Sequence, residues 1–122
     1  MGLWKGKPKP SLEGYDDVDP GDRQVLSQMV AMGAVLTNGR HVLHYSYFPT
    51  QEAAESAASP ARDAGWEVAV EPSASNDGTW CALAQRHGHV LSAETVIADR
   101  IMFSAAAANH GGEYDGWEAS MS

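Results

Sequence analysis

The 122-residue chain is long enough for one compact domain and short for two. Its formal net charge is −8, and its one cysteine, Cys81, excludes an intrachain disulfide framework and fits a reducing cytoplasm. No apolar run approaches the ~18 residues of a membrane-spanning helix, and no charged-then-apolar leader precedes a small-residue cleavage site.

Residues 1–18 read as a flexible tail, rich in Gly, Pro and Lys up to Pro10 and then acidic at Asp16-Asp17. Leu3, Trp4, Leu12 and Tyr15 are its exceptions and are able to dock on the domain. Met1-Gly2 suggests myristoylation, but that motif requires Ser or Thr where Gly6 stands. A single domain is expected over 19–122.

The first helix has Asp19 as cap, Pro20 at its first position and Asp22 in its first turn. Val25, Met29 and Met32 recur at helical spacing beside Leu26 and Val30, and Gly33 ends the run. Asn38-Gly39 then supplies a turn. His41–Phe48, HVLHYSYF, reads as a strand. His41, Leu43, Tyr45 and Tyr47 share one face; Val42, His44, Ser46 and Phe48 share the other.

A second helix is expected after the cap Thr50 and up to Gly65. Its inner face is Ala53 or Ala54, then Ala57, Ala58, Ala61 and Ala64. Alanine buries little area, so this helix must approach the sheet closely. Pro60 inside it predicts a kink or break near Ser59.

Trp66–Glu71 and Thr79–His87 alternate as two strands around the polar loop Pro72–Gly78, which makes them an antiparallel hairpin. Trp66 and Trp80 offer the core volume that the alanine helix lacks. The third helix, capped by Ser92 and running to Asn109, shows an apolar stripe of Val96, Ile97, Ile101, Ala105 and Ala108. Gly111-Gly112 ends it, and Glu113–Ala119 is a short aromatic terminal segment. The order predicts a ferredoxin-like α+β fold: an antiparallel sheet with helices on one face, preceded by an extra N-terminal helix.

Charge separates the tail from the body. Beyond Lys5, Lys7 and Lys9, five arginines stand against sixteen carboxylates, a formal balance of −11. Nucleic acid binding needs Lys and Arg to displace counterions, so this body is expected to repel RNA and DNA and to suit a basic protein partner. Solubility alone is the plainer reading of the same acid.

Motifs for chemistry are sparse. Asp16, Asp17, Asp19 and Asp22 fail as a calcium loop: counted from Asp17, position 5 is Gly21, position 6 is Asp22 and position 12 is Gln28. His41 and His44 fall on opposite strand faces. His87 and His89 would share a face if their strand reached that far, and zinc needs three or four converging ligands. No metal and no cofactor is therefore expected. His110 reads as a residue at a helix C-terminus. Cys81 reads as a buried small hydrophobe rather than a reactive thiol. No nucleophile elbow, dinucleotide fingerprint or phosphate loop is present, so no catalytic residue is assigned. A small enzyme using His44, Tyr45 or His87 would need a cavity enclosing at least two of them. A small-ligand-sensing module would need a deep apolar pocket with converging polar groups.

The most unusual stretch is Gly111-Gly112-Glu113-Tyr114-Asp115-Gly116-Trp117-Glu118. In the structural reading, Tyr114 and Trp117 fasten the terminus to the sheet and the glycines permit the approach. In the functional one, Gly112, Glu113, Tyr114, Asp115, Gly116, Trp117 and Glu118 form a partner-binding lip of aromatic anchors in a charged rim. Chemistry alone favours the first.

GGEYDGWEA resembles the signature of the regulator of ribonuclease E activity B family, the ribonuclease E inhibitors. HVLHYSYFP with the following alanine- and glutamate-rich helix, the hairpin pieces AGWEVAV and WCALAQR, and the opening DRQVLSQMVAMG are also similar to that family. Together they extend the resemblance over about residues 19–119. It implies a ferredoxin-like fold and a non-enzymatic cytoplasmic regulator. Such a regulator would bind the non-catalytic scaffold portion of ribonuclease E, or a related RNA-degrading enzyme, and reduce its processing of RNA. Only the matched motif is carried over as a partner-binding surface. Pro60, inside the second helix, departs from the family pattern.

Overall fold

Alternating burial along the first strand fixes the layout of the whole molecule. The computed structural model describes residues 8–121. After α1 (Pro20–Ala31), the strand β1 (Arg40–Phe48) buries every second side chain, from Arg40 through Val42, His44 and Ser46 to Phe48. Then follow α2 (Gln51–Asp63), β2 (Glu67–Pro72), β3 (Trp80–His89), α3 (Ala93–Asn109) and β4 (Glu113–Ala119). The strands lie in the order β2-β3-β1-β4, and each neighbouring pair is antiparallel. This is the expected ferredoxin-like α+β plan, with α1 as the extra leading helix. The helices α2 and α3 pack on the inner face, α2 over β2 and β3 and α3 over β4 and β1.

Helix starts follow their caps. The side chains of Asp19, Thr50 and Ser92 accept from the backbone N–H of Gly21, Ala53 and Thr95 at 2.9, 3.1 and 3.1 Å. The core joins Leu26 and Met29 of α1 to Val42, Trp66, Leu91, Val96 and Phe103. A smaller cluster sets Phe48 and Ala82 of the sheet against Ala54, Ala57 and Ala107 of the helices. Ahead of α1, Tyr15 is buried and its hydroxyl donates to the Leu91 carbonyl at 2.5 Å. Leu3, Trp4, Lys5 and Lys7 lie outside the described residues.

Four local expectations change. First, α2 runs unbroken through Pro60. Proline removes the bond that would have reached the Ser56 carbonyl, and both Pro60 and Ser56 are exposed, on a side of the helix where water has access. Second, the buried side of α3 is Val96, Phe103 and Ala107, while Ile101 is 64% exposed and Ala105 and Ala108 face outward. The helix is apolar on most sides, and the polar pair Asp99 and Arg100 turns inward to meet buried partners described below. Third, Met32 is 72% exposed, because it caps α1 past its last turn. Fourth, Cys81 is only half-buried, on the outer sheet face opposite Tyr47.

The continuous helix makes Pro60 a removable cost. Pro60→Ala restores a backbone donor at an exposed site and should stabilise the protein by about 1–2 kcal/mol, below the full ~3 kcal/mol because proline also restricts the unfolded chain. Urea unfolding of the two proteins measures it; an unchanged or lower midpoint would contradict the assignment.

Candidate functional site

A strand with strict alternation would place Tyr114 and Trp117, three residues apart, on opposite faces. The β1–β4 register instead runs from Tyr45 opposite Gly116 to Ser46 opposite Tyr114, leaving Asp115 as an extra residue. This bulge sits at Gly116, whose φ of +110° suits glycine alone among common residues. As a result Tyr114 and Trp117 both point inward, opposite Ser46 and His44. Glu113 and Glu118 both point outward, opposite Tyr47 and Leu43, and Asp115 is exposed beside Glu113 and Tyr47. Gly112 is required for a different reason: a Cβ there would overlap the Phe48 ring and the Tyr47 carbonyl oxygen.

Beneath the signature lies a buried polar network. Asp22 of α1 is 3% exposed. Its carboxylate accepts from Arg100 Nε and Nη2 at 2.6 and 2.7 Å and from Trp117 Nε1 at 2.9 Å. Burial pushes its titration upward, but the bonds from Arg100 and Trp117 outweigh that, and Asp22 titrates below its ordinary value. Arg100 also lies over the Tyr114 ring, 5.5 Å from its centroid.

The Tyr114 hydroxyl meets His44 Nδ1 at 2.8 Å, and burial raises its pKa. His44 stacks on Phe103 at 4.2 Å and meets Trp66 edge-on at 5.0 Å. On the other side of the ring, Nε2 faces Asp99 Oδ2 at 4.0 Å. That Asp99 oxygen is bonded to His89 Nε2 at 2.7 Å. Burial lowers His44 to about 4, and the attraction of Asp99 only partly opposes it. No sequence motif announced this network; its members come from α1, β1, β3, α3 and β4.

The histidines do not converge as a metal site. His87 and His89 fall on opposite faces, because the β1–β3 register shifts between Arg40 and Val42 at the exposed Gly88. His87 stacks on His41 outside, 4.1 Å between centroids, while His89 turns inward to Asp99. His110 caps the end of α3. Among the described residues no group of three or more His, Cys, Asp or Glu is placed to hold a metal ion.

His44 lies in the core, whereas Tyr45 and His87 belong to the outer face, so the three side chains share no cavity. Between α2 and the sheet is a cavity of about 10 Å³ walled by Phe48, Ala57, Ala61 and Phe103, room for one water at most. The outer face instead has an open hollow of about 190 Å³ over Tyr45, Tyr47, Ala69, Glu71, Cys81 and Leu83. Neither is the deep pocket a small-ligand module requires. Burial raises the Cys81 thiol, which opposes thiolate formation.

Outside, the β4 carboxylates Glu113, Asp115 and Glu118 face Glu67 and Glu71 of β2 across the sheet. The Tyr45 hydroxyl donates to Glu118 Oε1 at 2.6 Å, and that bond pushes Tyr45 up to about 12. The strand arginines both lie on the inner side. Buried Arg40 binds the carbonyls of Val35, Ser120 and Met121, and Arg86 bonds the Ala64 carbonyl and covers the Trp66 ring. Among the described residues no helix is long and apolar enough to cross a membrane.

The family model described as regulator of ribonuclease activity B matches residues 20–119. A comparison with the curated proteins finds none that matches.

Two outcomes follow from the network. Asp22→Asn removes the charge that holds Arg100 and Trp117 together, and should cost about 3 kcal/mol in chemical unfolding; a loss below about 1 kcal/mol would mean the carboxylate is replaceable. His44 makes stability pH-dependent. Its folded pKa lies below its unfolded one, so its contribution is present above pH 6.5 and is lost as pH falls towards about 4. The protein should lose about 2 kcal/mol between pH 7 and pH 5 from this group, and His44→Gln should flatten that slope; an equal slope in both proteins would remove His44 as its source.

Proposed function

Because the chain belongs to the regulator of ribonuclease activity B family, we propose that it inhibits ribonuclease E in the cytoplasm by binding the enzyme as a protein, without catalysing a reaction itself. The family match over residues 20–119 carries this reading. Two physical facts support its mode of action. The formal charge of −8 opposes direct competition for RNA phosphates. The same charge attracts basic, poorly ordered protein segments, which order on binding and give modest, salt-sensitive affinity.

The partner-binding surface in this reading is the terminal strand, Gly112 to Glu118. Glu113, Asp115 and Glu118 make the contact. Tyr114 and Trp117 hold the strand from beneath, and Gly112 and Gly116 give it its path. The direction in which each side chain points supports this separation of roles.

Cleavage of a labelled RNA by purified ribonuclease E tests the reading. Added protein should slow cleavage at low salt, with the effect shrinking as salt rises, and should not retard the RNA alone in a gel. The combined change Glu113→Gln, Asp115→Asn and Glu118→Gln should weaken inhibition about tenfold while leaving the unfolding midpoint nearly unchanged. Cleavage unaffected by the native protein, or tight association of the protein with RNA at near-physiological ionic strength, would overturn it.

A further inference from the structure

Every arginine of the body is occupied on the helical side of the molecule or inside it. Arg23 pairs with Asp16, Arg62 with Glu55 and Arg100 with Asp22, while Arg40 and Arg86 bind backbone carbonyls. Glu67, Glu71, Glu113, Asp115 and Glu118 form no ion pair among the described residues. All five are exposed, and they stand in two rows along the two edge strands of the sheet. Between the rows the outer face presents Leu43, Tyr45, Tyr47, Cys81 and Leu83, half-buried and, among the described residues, without a covering element.

We propose that this outer sheet face is the docking surface for an extended, arginine-rich protein segment, laid across Tyr45, Tyr47 and Leu83 from the β2 carboxylates to those of β4. The inference deepens the reading of the chain as a protein-binding regulator and rests on it for the partner's origin; the surface itself is argued from charge and shape.

Dimensions agree with an extended crossing. Four strands at about 4.8 Å spacing separate the two acidic rows by about 14 Å, which four or five extended residues span. A segment with cations at that separation reaches both rows at once. The hollow over Tyr45, Tyr47, Ala69 and Leu83 has Glu71 in its lining. It suits an arginine whose methylene stem lies on Leu83 and Ala69, whose guanidinium covers a tyrosine ring and whose fork meets Glu71. Lysine offers the charge without the planar fork. The bond from Tyr45 to Glu118 holds one carboxylate in place before the partner arrives.

Charge selects among occupants. A second copy placed face to face would bring acidic rows against acidic rows, and like charges at close range cost several kcal/mol. Nucleic acid and anionic lipid meet the same repulsion.

Fluorescence anisotropy with the full chain tests the assignment. The probes are a fluorescein-labelled peptide of Arg-Ala-Leu-Ala-Arg repeated twice, its lysine counterpart and its glutamate counterpart. The arginine peptide should bind, the lysine peptide about fivefold more weakly, and the glutamate peptide not at all. Glu71→Gln with Glu118→Gln should weaken the arginine peptide about tenfold. Glu52→Gln with Glu94→Gln, an equal charge change on α2 and α3, should change it less than about twofold. Equal effects of the two double variants, or equal binding of arginine and lysine peptides, would overturn the proposal. Peptide binding at this face without inhibition of ribonuclease E by the native protein would leave the docking surface standing and remove the regulator reading. Full inhibition by Glu71→Gln/Glu118→Gln would do the reverse.

Discussion

A carboxylate withdrawn from water must be met by donors, and Asp22 obtains all of its donors from parts of the chain 78 and 95 residues away. That requirement positions three elements at once. Helix α1 buries little besides Asp22, Leu26 and Met29, so its seat depends on where Arg100 and Trp117 can reach. Helix α3 must rotate until Arg100 and Asp99 point inward, which exposes Ile101 and brings Phe103 under His44. Strand β4 must present the indole on the same side. A hydrophobic helix face could slide by a turn with modest loss; a bidentate arginine and an indole N–H cannot follow such a slide, so the network specifies one arrangement.

The bulge at Gly116 is what makes β4 compatible with this demand. Without it the strand could turn Tyr114 or Trp117 inward, but not both, and one of Glu113 and Glu118 would be driven into the core. One unpaired residue therefore sorts a mixed aromatic and acidic sequence into two pure faces. The structural and functional readings of GGEYDGWEA stop competing at this level. The aromatics secure the strand from below, and the acids line its upper rim. Loss of Trp117 would thus disturb the placement of these acids although its own side chain points inward.

Most of the architecture was legible because local signals agreed with the global fold. Asp19, Thr50 and Ser92 cap the helices their positions suggested, and HVLHYSYF alternates as a strand buried on one side must. Where legibility failed, a polar residue was behaving against type. In α3 an inward Asp99 and Arg100 turned the expected stripe after Val96 and Ile97, leaving Ile101, Ala105 and Ala108 exposed, and no single-helix pattern contains the news that their partners lie in α1 and β3. In α2 the cost of Pro60 depended on whether the orphaned carbonyl met water, a fact of exposure rather than of sequence. His87 and His89 separated because of a register shift at Gly88, which alternation alone does not reveal. The two faces of the terminal motif were unreadable for the same reason.

Net charge by itself distinguishes poorly between a solubility device and a recognition surface, and its distribution is the more informative quantity. Acid that serves solubility is interspersed with base over the whole exterior. Here the arginines are drawn to the helical side and the core, where Asp16, Asp22 and Glu55 and several carbonyls occupy them. The outer face of the sheet keeps the carboxylates of β2 and β4 and the tyrosines of β1, with no strand arginine or lysine facing outward. The buried network contributes to that asymmetry, since Asp22 holds Arg100 at α3 and β4. Fold and field therefore have a common origin: the interaction that rotates α3 into place also helps leave one face of the sheet unneutralised, and in the proposed docking that face would orient an approaching basic chain before contact.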